Sequence, residues 1–373
     1  MSLVLSLLLV PMFTGSTPDS SSRTRDTIDI SRFEDDIRHW VHGPGRGLQY
    51  VRVEASQVET IAENLLKFQN PDGGWPKNVD WLGILDYDTV WNRLSTLERH
   101  STCDNRNTYT QIEYLSRAFT QTGRVAYRDA AARGLHFILD GQNASGGWRG
   151  SDVDAITFND DLMTGVMHLL LDIREGRDYY RWIDSATHRE VRRALARAVE
   201  TTLRCQIVTN GRRTGWCQQH DHRTLEPVKA RSYELPSVAS LETAGVVEFL
   251  MRIPDPDTGT IAAVEDAVAW LRRSAITGIA LKRTDVNPSE QNEPFKRYDV
   301  EVVHDPHAQP MWARYYEITT NRPFFCNRDG IKVYSLSEVR QERRIGYSWY
   351  GSWPRETVGE HYTRWRARLG NPK

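Results

Sequence analysis

The chain has 373 residues, with 48 Lys and Arg against 49 Asp and Glu and a formal net charge of -1, so no overall basic bias points toward nucleic acid. Hydrophobic residues at 39% and charged residues at 26% are the balance of a soluble globular protein, not of a membrane or disordered one. The 12 Trp and 15 Tyr are a surplus of flat apolar bodies with polar tips, suited to a large core or to stacking against sugar-like rings.

The chain opens on an apolar run, Met1 to Phe13, followed by small and polar residues from Thr14 to Ser22. That is the length of a secretory h-region and too short to span a bilayer. Residues 1–30 are therefore expected to be an export signal and a polar, disordered lead-in, giving a secreted or periplasmic protein, although the first basic residue is Arg23 and the usual positive start is missing. Residues 31–373 read as one domain, because no Pro/Ser-rich linker interrupts them. Arg283 to Gln309 reads as a long loop within it. No membrane association is expected, and a monomer is.

A repeat organises the middle of the chain. Phe68-Gln-Asn-Pro-Asp-Gly-Gly-Trp75 recurs as Gly141-Gln-Asn-Ala-Ser-Gly-Gly-Trp148, and more loosely as Cys205-Gln to Thr214-Gly-Trp216. Tyr350-Gly-Ser-Trp353 reads as a last echo, after about twice the ~70-residue interval of the others. Each copy follows a segment of helical period, such as Ile61, Leu65, Leu66, Phe68 or Ala131, Leu135, Ile138, Leu139. Further helices are expected at Thr108–Thr120, closed by Thr122-Gly123, and at Arg124–Asp140, Val238–Arg252 and Ile261–Ser274. Strand-like alternation is rare, with Ile331–Tyr334 the best case. The predicted fold is all-α: helical hairpins arranged as an (α/α) toroid, with long loops and little β-structure.

Four strings could carry chemistry. Asp104 and Asn105 precede the helix near Thr108, and Asn159, Asp160 and Asp161 precede the next; each group reads either as a helix cap or as a pair of acidic turns sharing a cation. Thr214 to Ser237 is dense in polar and aromatic groups, and its His220 and Asp221 suggest acid–base chemistry or, less well, metal ligation. Met311 to Glu317 and Asn321 to Gly330 place Arg314 and Arg328 beside aromatics, where guanidinium forks match carboxylates; the bland alternative pairs Arg314 with Glu317 on one helix. Cys103, Cys205, Cys217 and Cys326 lack zinc spacing. Cys205 and Cys217 could close a disulfide or remain free, and Asn143-Ala-Ser fits a glycosylation sequon.

Six strings in order resemble the family-10 polysaccharide lyases, the pectate lyases with an (α/α)₃ toroid. They are Asn70–Asn78, Cys103–Gln111, Ile156–Asp160, Trp216–Asp221, Ala230–Glu234 and Trp312–Glu317, within a likeness running from Ala55 to Tyr350. The resemblance implies cleavage of polygalacturonate by calcium-assisted β-elimination. It implies Asp104 and Asp160 as Ca²⁺ ligands, with Asp161 the fallback, and Arg231 as the base. It also implies Arg314, Arg328 and Lys77 as binders of substrate carboxylates. The chain departs from the family at Cys103, at Arg106-Asn107 in place of a small pair, at the turn Gly147–Gly150 without its Pro, and at Asn327 in place of a Gly. Isoprenoid-cyclase toroids, non-catalytic acidic-glycan binders and hydrolases of unsaturated oligouronides are the competing readings.

Overall fold

The structure, a computed structural model, describes residues 27–286 and 298–370, so the expected export signal lies outside the described residues. Helix α1 (Glu34–His42) is followed by α2 (Val58–Lys67) and two short helices, α3 (Tyr87–Arg93) and α4 (Thr96–Arg99). Helical hairpins then succeed one another: α5 (Tyr109–Thr122) packs on α6 (Val125–Asp140), α7 (Leu162–Arg174) on α8 (Ser185–Arg204), and α9 (Ser240–Arg252) on α10 (Thr258–Arg273). Gly123, at φ +71°, closes α5 in the left-handed conformation, as Thr122-Gly123 predicts. Asp184 and Asp257 start α8 and α10 by accepting backbone amides of the first turn. No helix among the described residues is long and apolar enough to cross a membrane.

Burial separates inner from outer helices. Helix α7 (Leu-Met-Thr-Gly-Val-Met-His-Leu-Leu-Leu) is buried on nearly every side, whereas α8 buries only the stripe Val191, Ala194, Leu195, Ala198, Thr201 and Thr202. A helix apolar all round sits inside; one with a single stripe faces water. Helices α5, α7 and α9 therefore line the interior, with α2, α6, α8 and α10 outside them. One contiguous apolar cluster runs through these helices.

The repeated tryptophans staple this arrangement. The indole Nε1 of Trp75 donates to Leu65 O of α2, that of Trp148 to Ile138 O of α6, and that of Trp216 to Thr202 O of α8, each at 2.7 Å. The glutamine before each turn links one outer helix to the next. Gln69 Nε2 reaches Ala130 O of α6 at 2.9 Å, Gln142 reaches Ala194 O of α8 at 2.8 Å, and Gln206 reaches Ala263 O of α10 at 2.9 Å. Gly73 and Gly146 are required where they stand. Both have positive φ, and a Cβ would lie 2.4 Å from Arg133 O or 2.7 Å from Arg197 O.

The fourth copy is not where the sequence places it. Trp312, not Trp353, donates to the outer helix, through Nε1 to Leu271 O of α10 at 2.7 Å. A long excursion between α10 and its tryptophan hides the pair from any search at fixed spacing.

Other expectations also change. Within Arg283–Gln309, expected as a loop, Arg283–Asp285 and Tyr298–His304 belong to an antiparallel hairpin of Ile279–Asp285 with Tyr298–His304; the ladder lies mostly exposed, so charged residues break the apolar alternation. Val238–Ala239 is a strand before α9, not its first turn. Met311–Glu317 is not helical. Trp312–Ala313 pairs with Tyr350–Gly351, and Tyr315–Tyr316 lies between Val238–Ala239 and Pro323–Cys326 in a four-stranded sheet completed by Lys332–Val333. Arg314 thus sits between two short strands, while Glu317 turns to Lys332 and Tyr334 at 3.3 and 2.8 Å. All four cysteines are free and buried, so Cys205 and Cys217 do not pair. The described residues end in α11 (Gln341–Gly346), α12 (Pro354–Glu356) and α13 (Tyr362–Gly370).

Candidate active site

Lys77, Asp104, Asp160, Arg231, Arg314 and Arg328, spread over some 250 positions of sequence, line one cleft of about 900 Å³. The turn holding Asp104 (Asp104–Arg106) leads into α5, and the turn holding Asp160 (Asn159–Asp161) leads into α7; the two turns pack against each other. Neither acidic group serves as a helix cap, since the residues before α5 and α7, Thr108 and Asp161, make no side-chain cap hydrogen bond. In both turns non-glycine residues adopt positive φ: Asn105 at 52°, Arg106 at 65°, Asp160 at 52° and Asp161 at 56°. Such backbone is costly and persists where surrounding structure imposes it.

This geometry separates Asp160 from Asp161. Asp160 faces the cleft, and its Oδ2 accepts from Asn159 Nδ2 at 2.6 Å. Asp161 turns away and takes Arg106 Nε and Nη2 at 3.1 and 2.8 Å. Loss of bulk water around Asp160 raises its carboxyl to about 7, and the Asp104 charge adds to the rise while Arg314 and Arg231 oppose it. Because its surface is open to the cleft, water entering the cleft moderates that effect. Asp104 Oδ2 accepts from Ser151 N at 2.6 Å and from Ser151 Oγ, with Lys77 Nζ 3.6 Å away. Lys77 also reaches Ser151 Oγ and is buried.

The arginines differ in their partners. Arg314 is buried, with Nη2 on Glu242 Oε1 at 2.6 Å and Asn159 Oδ1 at 2.9 Å. Burial works to lower its pKa, and the Glu242 charge more than reverses this, holding it well above the usual value. Its Nε, like that of Arg343, is buried without a hydrogen-bond partner among the described residues. Such a donor is costly unless a ligand oxygen meets it. Arg328 is exposed and forks onto Glu342 at 2.9 and 3.3 Å. Arg231 donates from Nη2 to the buried Glu234, whose other oxygen takes the Arg231 amide at 3.1 Å. Burial again opposes the charge, but the Glu234 pair leaves the Arg231 guanidinium above its ordinary pKa.

His220 plays no part in the cleft. Its Nδ1 donates to Leu225 O at 2.8 Å, its Nε2 accepts from Cys217 N at 3.0 Å, and burial pushes its pKa down to about 4. It is a neutral structural histidine, and Asp221 caps the Arg223 and Thr224 amides.

Several participants escape the sequence reading. Arg343 lines the cleft from α11, although Gln-Glu-Arg-Arg reads as a solvated charge run. Helix α1 contributes Asp35, Arg38 and His39. Its buried Asp36 accepts from Asn78 N (2.8 Å), Trp81 Nε1 (2.8 Å) and Asn107 Nδ2 (3.2 Å), tying α1 to the loop after α2 and to the residue that follows the Asp104 turn. An acidic residue in an amphipathic helix gives no sign of this.

Among the described residues no three His, Cys, Asp or Glu side chains converge. A cation here would rest on Asp104 and Asp160 with amide, water and substrate oxygens, such as Asn105, whose Nδ2 goes to Asn78 Oδ1 at 2.8 Å. An all-oxygen set of this kind fits a hard cation and not a thiol- or imidazole-seeking one.

The chain matches the pectic acid lyase family over residues 69–358. It belongs to that family. Two solved structures of a family-10 polysaccharide lyase from Cellvibrio cellulosa are similar to it. One is 26% identical, covers 91% of this chain and 98% of its own, and superposes with a TM-score of 0.68. A point mutant in complex with trigalacturonic acid is 28% identical, covers 82% and 92%, and gives the same score. No curated protein matches the chain. The chain is therefore a polysaccharide lyase, and the charged cleft disagrees with the apolar chamber that a cyclase would need.

Proposed function

We propose that this lyase cleaves polygalacturonate by calcium-assisted β-elimination, with Arg231 taking the C5 proton. The observation that carries the reading is the convergence on one cleft of six cationic side chains (Arg38, Lys77, Arg231, Arg314, Arg328 and Arg343) with the facing carboxylates Asp104 and Asp160. The similar mutant lyase held trigalacturonic acid, an oligomer of the proposed substrate.

Asp104 and Asp160, with the Asn105 amide oxygen, would hold the ion. Bound calcium would supply positive charge to a uronate carboxylate and so acidify the C5–H beside it. Arg314, fixed by Glu242 and Asn159, and Arg343 line the wall as cations for substrate carboxylates. Arg328 and Lys77 add further positive charge. Arg231 removes the C5 proton, the electron pair forms the C4–C5 double bond, and the C4–O bond breaks. The departing oxygen ends as a hydroxyl, and the new end is a 4,5-unsaturated uronate. A guanidinium must first lose its own proton to act this way, so alkaline pH and the cationic surroundings favour the step while Glu234 opposes it.

That opposition favours a second reading, in which Arg231 clamps a substrate carboxylate and another group takes the C5 proton. Purified protein incubated with polygalacturonate, with and without Ca²⁺ at alkaline pH, decides between them. Ultraviolet absorbance of the unsaturated product is expected with calcium and absent after Arg231→Ala. No absorbance from the wild type would sink the lyase reading. Activity surviving in the Ala variant would displace Arg231 as base.

We also propose that the hairpins form the family's (α/α) toroid, supported by buried α5, α7 and α9 inside the Gln-linked α2, α6, α8 and α10. A monomeric catalytic domain over residues 31–373 and a secreted or periplasmic location complete the proposal, since the polymer lies outside the cell. Sedimentation and N-terminal sequencing of the exported protein test these points.

A further inference from the structure

The structure assigns Arg106 and Asp161 as a clamp between the two turns that carry Asp104 and Asp160, setting how those carboxylates face each other. The assignment rests on the calcium reading above. Arg106 belongs to the turn Asp104–Arg106 and Asp161 to the turn Asn159–Asp161, so their ion pair bridges 55 residues of sequence between the segments that bear the proposed ligands. Two guanidinium nitrogens, Nε at 3.1 Å and Nη2 at 2.8 Å, converge on the single oxygen Asp161 Oδ2. Tyr109 OH adds a donation to Asp161 O at 3.3 Å, tying the start of α5 to the same residue.

Both clamped residues, and the neighbours Asn105 and Asp160, hold positive φ. Left-handed backbone is unfavourable for a non-glycine residue, so a turn with two of them relaxes unless something holds it. Relaxation at Arg106 would re-aim Asp104, and relaxation at Asp161 would re-aim Asp160, each being within two residues. Neither Arg106 nor Asp161 lines the main cleft. They line the smaller groove behind it, which shares Asp160 with the cleft. They are therefore positioning residues and not ligands.

The sign of one substitution separates a clamp from plain electrostatics. If Arg106 acted only as a nearby positive charge, Arg106→Ala would tighten calcium and Asp161→Ala would weaken it. A clamp predicts that both weaken it, by about two- to fivefold for a half-exposed pair, and that the double variant is no worse than either single one. Calcium calorimetry on the full chain and the three variants, without substrate, reads this directly. Tighter or unchanged binding by Arg106→Ala overturns the clamp, and so do additive losses in the double variant.

If the wild type binds no calcium, the metal reading falls separately and the clamp is judged by amide hydrogen exchange in metal-free protein. Faster exchange at residues 159–162 in Arg106→Ala then supports it. Exchange unchanged at that turn overturns it.

Discussion

Glu234 meets Arg231 twice, at the guanidinium and at the backbone amide, and does so from a position almost sealed from water. A buried carboxylate holds its cationic partner charged, yet the proposed chemistry needs that partner neutral. Glu234→Gln keeps the shape and removes the charge. The Arg231 pKa then falls, so the acid limb of the pH–rate profile is expected to move at least about one pH unit toward lower pH. Initial rates measured across alkaline pH with saturating calcium check it. An unmoved profile with a raised KM would assign Arg231 to binding the substrate carboxylate instead.

Calcium affinity should rank the acidic residues. Asp104→Asn and Asp160→Asn each remove a proposed ligand and are expected to weaken calcium by more than the ~10–100-fold typical of residues that only orient ligands. Asp161→Asn is expected to change it far less, because that side chain turns to Arg106. Isothermal titration of the three variants gives the ranking. Equal losses at Asp160 and Asp161 would contradict the division of roles drawn from which side chain faces the cleft and which pairs with Arg106.

The difficulty of telling Asp160 from Asp161 marks where sequence reading stops. Neighbours in sequence differ only in which way one turn of backbone sends them, and left-handed φ at both residues is imposed by packing between turns 55 residues apart. The local signals were legible. Trp75 and Trp148 announce themselves because each turn follows its helix directly, and Gly123 ends α5 by a rule of backbone sterics. Trp312 was not, since its carbonyl partner Leu271 lies across a hairpin. Of the cleft residues, Arg314 and Arg328 are legible as guanidiniums beside aromatics, and Arg231 through a string shared with a family. Asp36 stands in a segment that reads as ordinary amphipathic helix and Arg343 in one that reads as a charge run, and only tertiary contacts reveal their use.

The Gln–Trp staples should be structural and nothing else. Gln142→Ala removes two hydrogen bonds of 2.8 Å, to Gly146 O and Ala194 O, and is expected to cost about 1–3 kcal/mol. Trp148→Ala also opens a cavity in the core and is expected to cost about 3–5 kcal/mol. Urea titration measures both. Calcium affinity in the folded Gln142 variant should match the wild type, since the staple lies at the joint between α6 and α8 and makes no contact with the Asp104 or Asp160 side chain.

Acid should unfold this protein partly through two histidines. His220 and His168 both have pKa values lowered to about 4, by burial in each case and for His168 also by the adjacent Arg252, whereas an unfolded histidine takes its proton near 6.5. Between those values the unfolded chain binds more protons than the folded one, so stability falls as pH falls. The contribution is whole above about 6.5 and is lost progressively down to about 4. For His220, fully buried with both ring nitrogens in use, the loss approaches about 3 kcal/mol across that window. His168 is partly open to solvent and should contribute less. Chemical denaturation at pH 7.5, 6, 5 and 4 should show this slope, flatter in His220→Gln although that variant starts less stable. If the slope is the same in the variant, the acid sensitivity comes from other groups and His220 is not neutral for the reason its burial gives.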